Sequence, residues 1–282
     1  MRSPEVRPFA AADIDAAAAT TAAAFDHDVA NDEEWQQWRE RIAHALETDP
    51  DGCFVAERDG EVLGVAQAIV RERLWCLTML AVRPGSQSAG AGRALLGRAL
   101  EYRNGSDAGL IVSSNDPRAM RLYGLAGFSL RPTFEATGDV DRRALPRPDP
   151  AIVESDGDEL EELADIARAV RGAPYTPELA FTLGRGLRLL RHGDRGFAVA
   201  SESRGVWMLL ARDEAAASAL LWNGLALVEA AARPVARWVT GGQDWAIEIL
   251  LKAGLQLRPA GALCVRGDPG PLHPFIPSPP FA

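Results

Sequence analysis

The residues Val82 to Gly92, VRPGSQSAGAG, join an apolar run to a helix through a glycine-rich turn. Leu77 to Val82 reads as a buried strand, and Pro84 with Gly85 turns the chain. Beyond them, Leu96, Ala99, Leu100 and Arg103 recur at helical spacing. Gly90 and Gly92 therefore stand where a helix begins, and the first N–H groups of a helix have no partner inside it. Without side chains, these glycines let a phosphate reach the backbone, and the positive end of the helix dipole favours its charge. Arg93 adds a cation at the rim. The chemistry that fits is the binding of a pyrophosphate.

Other phosphate loops are excluded by spelling. The dinucleotide fold needs Gly-x-Gly-x-x-Gly, and the Walker loop needs Gly-Lys-Ser/Thr. Neither occurs in this stretch. The phrase Leu80-x-Val82-x-Pro84, followed by Gln87-x-x-Gly90-x-Gly92 and an Ala/Leu helix, resembles motif A of the GNAT N-acetyltransferase superfamily. That resemblance implies that Gln87, Ser88, Ala89, Gly90, Ala91, Gly92 and Arg93 hold the pyrophosphate of acetyl-CoA. It also implies that the strand end Leu80, Ala81, Val82 lies along the cofactor, with the N–H of Leu80 or Val82 polarising the thioester carbonyl. Preorganised donors of this kind are often a large catalytic term.

A second phrase follows. Leu110 to Ser113 reads as a strand, Asp116 as an N-cap, Pro117 as the first helical residue and Gly127 as the residue past the helix end. Asn115 together with Ala119-x-x-x-Tyr123-x-x-x-Gly127-Phe128 resembles motif B of the same superfamily. In that family the Asn contacts the cofactor and the Tyr faces its sulfur. A thiol leaves with a pKa of about 8.5 and a phenol titrates near 10, so Tyr123 is protonated at neutral pH and can serve as the acid.

The group that accepts the amine's proton is left open. Glu72 falls just short of the strand Leu74–Val82, where some family members keep a glutamate. The acidic stretch from Asp26 to Glu34, with His27 inside it, reads mainly as a solvated loop and helix start. Two other candidates are water and the carboxylate of Ala282, which some multidomain relatives use in this way.

Composition bounds the remaining possibilities. The 282 residues are 47% hydrophobic and 24% charged, as expected of a globular protein of about two domains. No apolar run is long enough to span a bilayer, and Asp13 and Asp15 interrupt the alanine-rich start, which reads as an amphipathic helix. Cys53, Cys76 and Cys264 are too scattered for a disulfide framework, and the four histidines show no ligand spacing. No metal is expected, and a reducing cytoplasm is. A net charge of −9 argues against nucleic acid and favours a cationic acceptor. Oligomeric state is not legible.

The chain also repeats. AMRLYGLAGFSLRP from Ala119 matches AIEILLKAGLQLRP from Ala246 at an offset of 127 (246 − 119), and Ala94-Leu95-Leu96 matches Ala219-Leu220-Leu221 at 125 (219 − 94). The expected organisation is a catalytic domain over 1–140, a degenerate copy over 151–270 and a Pro-rich tail over 271–282, with Gly138–Pro150 as linker. In the second copy Asp213 and Glu214 open the helix where the first has glycines, Leu250 replaces Tyr123 and Gly242 replaces Asn115. Glu154–Asp165 reads as a solvated helix. The tandem form is similar to that of mycothiol synthase, but with the intact motifs in the first half. The fold implied is α/β: two GNAT-like domains, each a mixed, mostly antiparallel twisted sheet flanked by helices. The activity implied is transfer of an acetyl group from acetyl-CoA to a primary amine of a small molecule or peptide, by direct attack. The alternatives are an acyl-CoA-binding sensor or an enzyme that uses another acyl group.

Overall fold

The computed structural model describes residues 4–87, 90–103, 105–157, 160–230, 232–278 and 280–281. Ser88, Ala89 and Ala282, all named above, lie outside the described residues. The chain forms two compact units, one of residues 1–70 and 75–107, the other of residues 71–74 and 108–282. Among the described residues, no helix is long and apolar enough to cross a membrane.

The first unit contains β1 (Glu5–Pro8), α1 (Ile14–Ala24), α2 (Asp32–Thr48), β2 (Cys53–Arg58), β3 (Glu61–Arg71), β4 (Leu74–Val82) and α3 (Ala91–Glu101). Its strands run in the order β1-β2-β3-β4, with β1 and β3 both antiparallel to β2. Helix α2 starts at Asn31, whose side chain accepts from the Glu34 N–H. Asp32, Glu33 and Glu34 fill its first turn, where the helix dipole favours negative charge. Helix α3 buries Leu95, Leu96 and Ala99. Gly64 on β3 permits that approach, since a Cβ there would stand 2.9 Å from Leu95 Cδ1 and 3.0 Å from the Ala81 carbonyl oxygen.

The second unit begins with β5 (Ala108–Ser113), α4 (Pro117–Leu125) and β6 (Ser129–Thr137). It continues with β7 (Ile152–Ser155), α5 (Leu160–Arg171), α6 (Thr176–Leu183), β8 (Arg188–His192), β9 (Gly196–Ser201) and β10 (Gly205–Ala211). Then follow α7 (Glu214–Ala226), β11 (Val235–Thr240), α8 (Asp244–Lys252), β12 (Gln256–Arg266) and β13 (Phe275–Ile276). The internal repeat is explicit in these bounds. β11 starts 127 residues after β5 (235 − 108), α8 the same distance after α4 (244 − 117), and β12 after β6 (256 − 129).

The repeats interlock here. One run of strands in this unit has the order β5-β12-β6-β11, so strands of the first and second copies alternate. β12 is antiparallel to both β5 and β6, and β6 to β11. This exchange explains why the packing boundary at residue 107 differs from the repeat boundary at Gly138–Pro150. The connector itself is packed rather than loose. Val140 and Leu145 lie against the core of the second copy, the Asp141 N–H donates to the Ala253 carbonyl at 2.8 Å, and the Arg142 guanidinium donates to the carbonyls of Ala226 and Val228.

The remaining strands form a sheet of order β13-β10-β9-β8-β7. Leu209, Leu220, Leu221, Val239, Leu250 and Ile276 share its core. The acidic stretch Glu154–Asp165 departs from the single solvated helix expected. Glu154 sits on β7 and pairs with Arg188 across the sheet, and the helix begins only at Leu160. Strand pairing wins there because Ile152 to Ser155 find a partner in Leu189 to His192.

Candidate functional site

The first unit carries the loop. β4 ends with Leu80 half-buried, Ala81 buried and Val82 half-buried. Arg83 to Ser86 then form a tight turn, closed by Ser86 N–H to Arg83 O at 3.0 Å, with Gly85 at φ +86°. Pro before Gly suits that turn, since proline presets its own φ and glycine tolerates the positive one. Gln87 folds back, its Nε2 donating to the Val82 carbonyl at 3.2 Å. Gly90 is the N-cap of α3, left-handed at φ +81° and ψ −2°. It offers no side-chain cap, and no acidic residue stands in the first turn. Among the described residues, a Cβ built on Gly90 would meet nothing within 4 Å. Helix α3 begins at Ala91, so Ala91 and Gly92 lie in its first turn.

The second unit carries the other two residues. Asn115 is exposed in the bend between β5 and α4. Asp116 caps α4 by accepting from the Arg118 N–H at 2.8 Å, with Pro117 as the first helical residue. The Arg118 guanidinium holds the Asp116 carboxyl below the usual carboxylate range. Gly127 follows the helix end at φ +89°. Tyr123 is 5% exposed. Burial pushes its phenol above the usual tyrosine value, with smaller contributions from Cys264 and Asp116. The hydroxyl is thus held protonated more firmly than an exposed tyrosine would be.

Two residues that the motifs do not flag buttress this bend. The Trp238 indole N–H donates to the Ser113 carbonyl at 3.1 Å. Gly261, at φ +96°, lies so close that a Cβ would stand 2.2 Å from the Ser113 oxygen. Both belong to the second copy, and only strand exchange brings them to β5.

Within the acidic stretch Asp26–Glu34, Asp32, Glu33 and Glu34 belong to the first turn of α2. The Glu34 carboxylate accepts from the Ala30 N–H at 2.8 Å and lies 3.4 Å from His27 Nε2, and the His27 ring stacks on Trp38. Glu72, in the turn after β3, is paired with Arg168 at 2.7 Å.

Comparison with known proteins then bears on residues 15–128. Residues 15–128 match the Acetyltransferase (GNAT) family. That stretch is a GNAT domain. A mycothiol acetyltransferase of Streptomyces avermitilis is 38% identical over 90 residues, which is 30% of this chain and 29% of that protein. The corresponding enzyme of Streptomyces coelicolor is 36% identical over 85 residues, 28% of each chain. The matched stretch thus spans less than a third of these relatives' length. Among solved structures, a candidate acetyltransferase from Pyrococcus horikoshii is similar in fold over 99% of this chain and 95% of its own, with a TM-score of 0.79 at 17% identity. A GCN5-related N-acetyltransferase from Kribbella flavida is similar over 94% of this chain and 72% of its own, with a TM-score of 0.63 at 17% identity.

The GNAT domain and its repeat differ at the helix that follows the central strand. Asp213 caps α7 by accepting from the Ala216 N–H at 2.9 Å, and it is paired with Arg195 at 2.6 Å. Hydrogen bonds from Arg195 hold that carboxyl below the usual carboxylate range. The start of α7 thus carries the carboxylates of Asp213 and Glu214, whereas the first turn of α3 carries no acidic residue. Leu250, 127 residues after Tyr123 (250 − 123), is fully buried and has no proton to give.

Proposed function

We propose that the chain is an acetyl-CoA-dependent N-acetyltransferase whose first half is catalytic and whose acceptor is a primary amine on a small molecule or peptide. The observation that carries this reading is the helix start at Gly90, left-handed and uncapped, in a domain of the acetyltransferase family. The cradle suits a diphosphate, because Gly90 puts no side chain at the helix start, where the first N–H groups lack intrahelical partners. Gly90, Ala91, Gly92 and Arg93 would hold the pyrophosphate, with Gln87 pinning the loop to the strand end, and Asn115 would hold the cofactor's arm.

Acetyl-CoA supplies the thioester. The amine nitrogen bonds to the acetyl carbon, the carbon–sulfur bond breaks, the sulfur leaves with the electron pair, and the proton lost by the nitrogen passes to water. A backbone N–H at Leu80 or Val82 stabilises negative charge on the carbonyl oxygen. Tyr123 meets the departing sulfur with its O–H. Because burial raises the phenol above about 10 and a thiol titrates at about 8.5, full transfer of that proton is uphill. Tyr123 therefore acts chiefly by donating a hydrogen bond to the thiolate. The net charge of −9 favours cationic amines.

The test is release of free thiol from acetyl-CoA with a panel containing an aminoglycoside, a polyamine, a lysine peptide and a mycothiol-type acceptor suggested by the relatives' name. Amine-dependent release supports the proposal. Binding of acetyl-CoA with no amine raising thiol release above hydrolysis refutes it in favour of an acyl-CoA sensor.

A further inference from the structure

The segment after β12 follows a path that neither motif explains. Leu272 N–H donates to the Val170 carbonyl at 2.9 Å. His273 Nε2 lies 2.9 Å from Glu214 Oε1, at the first residue of α7. The Ala211 N–H then reaches the Pro274 carbonyl at 3.4 Å, and Phe275 and Ile276 pair antiparallel with Leu210 and Leu209 on β10. Gln243, just before α8, grips the same segment with both ends of its amide. Its Nε2 donates to the Leu272 carbonyl at 2.8 Å, and its Oε1 accepts from the Phe275 N–H at 3.1 Å. Phe275 and Ile276 are each 1% exposed.

Several of the positions that the segment meets have counterparts in the first copy. Leu209 and Ala211, at the end of β10, correspond to Leu80 and Val82, at the end of β4 (209 − 80 and 211 − 82, both 129). The start of α7 corresponds to the start of α3. Gln243 corresponds to Asp116, next to Asn115 (243 − 116 = 127). Ile276 shares a core with Leu250, the counterpart of Tyr123. The segment thus passes the helix start, runs antiparallel to the strand end, and joins the core that contains the residue at the tyrosine position. These are the places that the proposed function gives to the pyrophosphate, the arm and the sulfur of acetyl-CoA.

We propose that residues 272–276 are the resident occupant of the second copy's cofactor groove, a peptide in the place of the pantetheine arm, so that the chain binds one acetyl-CoA and not two. This rests on the acetyl-CoA reading of the first half. The peptide suits the altered groove. Glu214, which would repel a phosphate, faces an imidazole, and the end of β10 is paired with the backbone of Phe275 and Ile276.

The test uses the full chain, titrated with acetyl-CoA by calorimetry and followed by hydrogen exchange with and without saturating acetyl-CoA. One equivalent is expected, with slow exchange at residues 272–276 in both states. Gln243→Ala, which removes two hydrogen bonds to the segment, should speed exchange there by about tenfold or more while the stoichiometry stays at one. His273→Ala is a milder variant at a half-exposed side chain, expected to act in the same direction. Two equivalents, or exchange at 272–276 that accelerates when acetyl-CoA is added, overturns the proposal while leaving the first-half reading intact. Exchange at 272–276 as fast as in a free peptide also overturns it. No binding at all sinks the first-half reading, and the stoichiometry claim with it.

Discussion

Replacing Gly90 by Asp turns the start of α3 into a version of the start of α7, and comparison with Asn isolates the charge. Residue 90 is left-handed at φ +81°, a conformation that Asn and Asp tolerate best among residues with side chains. Both substitutions therefore carry the same strain, roughly 1 kcal/mol, and both side chains enter open space. They differ in one negative charge. A carboxylate there would stand about 5 Å from a phosphate on the Ala91 and Gly92 amides, where two unit charges repel by about 3 kcal/mol at an effective dielectric of about 20. Gly90 is exposed, so screening reduces this to about 2 kcal/mol, or about thirtyfold in Kd. Calorimetric titration with acetyl-CoA should show Gly90→Asp binding about thirtyfold more weakly than Gly90→Asn, and the gap should narrow as salt is raised. Equal affinities for the two variants at low salt would refute the placement of the pyrophosphate.

Tyr123→Phe should lower kcat by about ten- to a hundredfold, the worth of one hydrogen bond to a charged group, and leave the KM for acetyl-CoA within about twofold. Because burial raises the phenol above its usual value, wild-type kcat should show no alkaline loss from this group up to about pH 10. A phenolic limb below that pH, absent in the Phe variant, would contradict the burial argument. Gly261→Ala should destabilise the fold by more than about 2 kcal/mol, because its Cβ collides with the Ser113 oxygen at 2.2 Å and its φ is +96°. It should also raise the KM for acetyl-CoA, since Ser113 and Ser114 lead into Asn115. A loss below about 0.5 kcal/mol in a urea melt would show that the β5–β12 contact relaxes freely.

Much of this protein is written locally. The Pro-Gly turn, the glycine at the start of α3, the Asp116 cap with Pro117 and the Gly127 stop each rest on the conformational limits of a few neighbouring residues. The duplication is local in the same sense, because copied segments keep their spacing, and the offset of 127 reappears in three consecutive elements. Asp213 and Glu214 likewise declare a closed helix start from residue type alone.

Tertiary structure decided which strand lies beside which. Every strand offers the same backbone donors and acceptors, so the sequence of β12 does not say that it inserts between β5 and β6, nor the sequence of β13 that it docks on β10. Those choices follow from packing between distant segments, such as Ile276 in the core that also holds Leu250, and Gly261 against Ser113. The burial that raises the Tyr123 phenol depends on the same packing, as do the support that Trp238 gives the Asn115 bend and the occupant of the second groove. Residue type and spacing are properties of the chain; burial and strand neighbours exist only once remote parts of it have met.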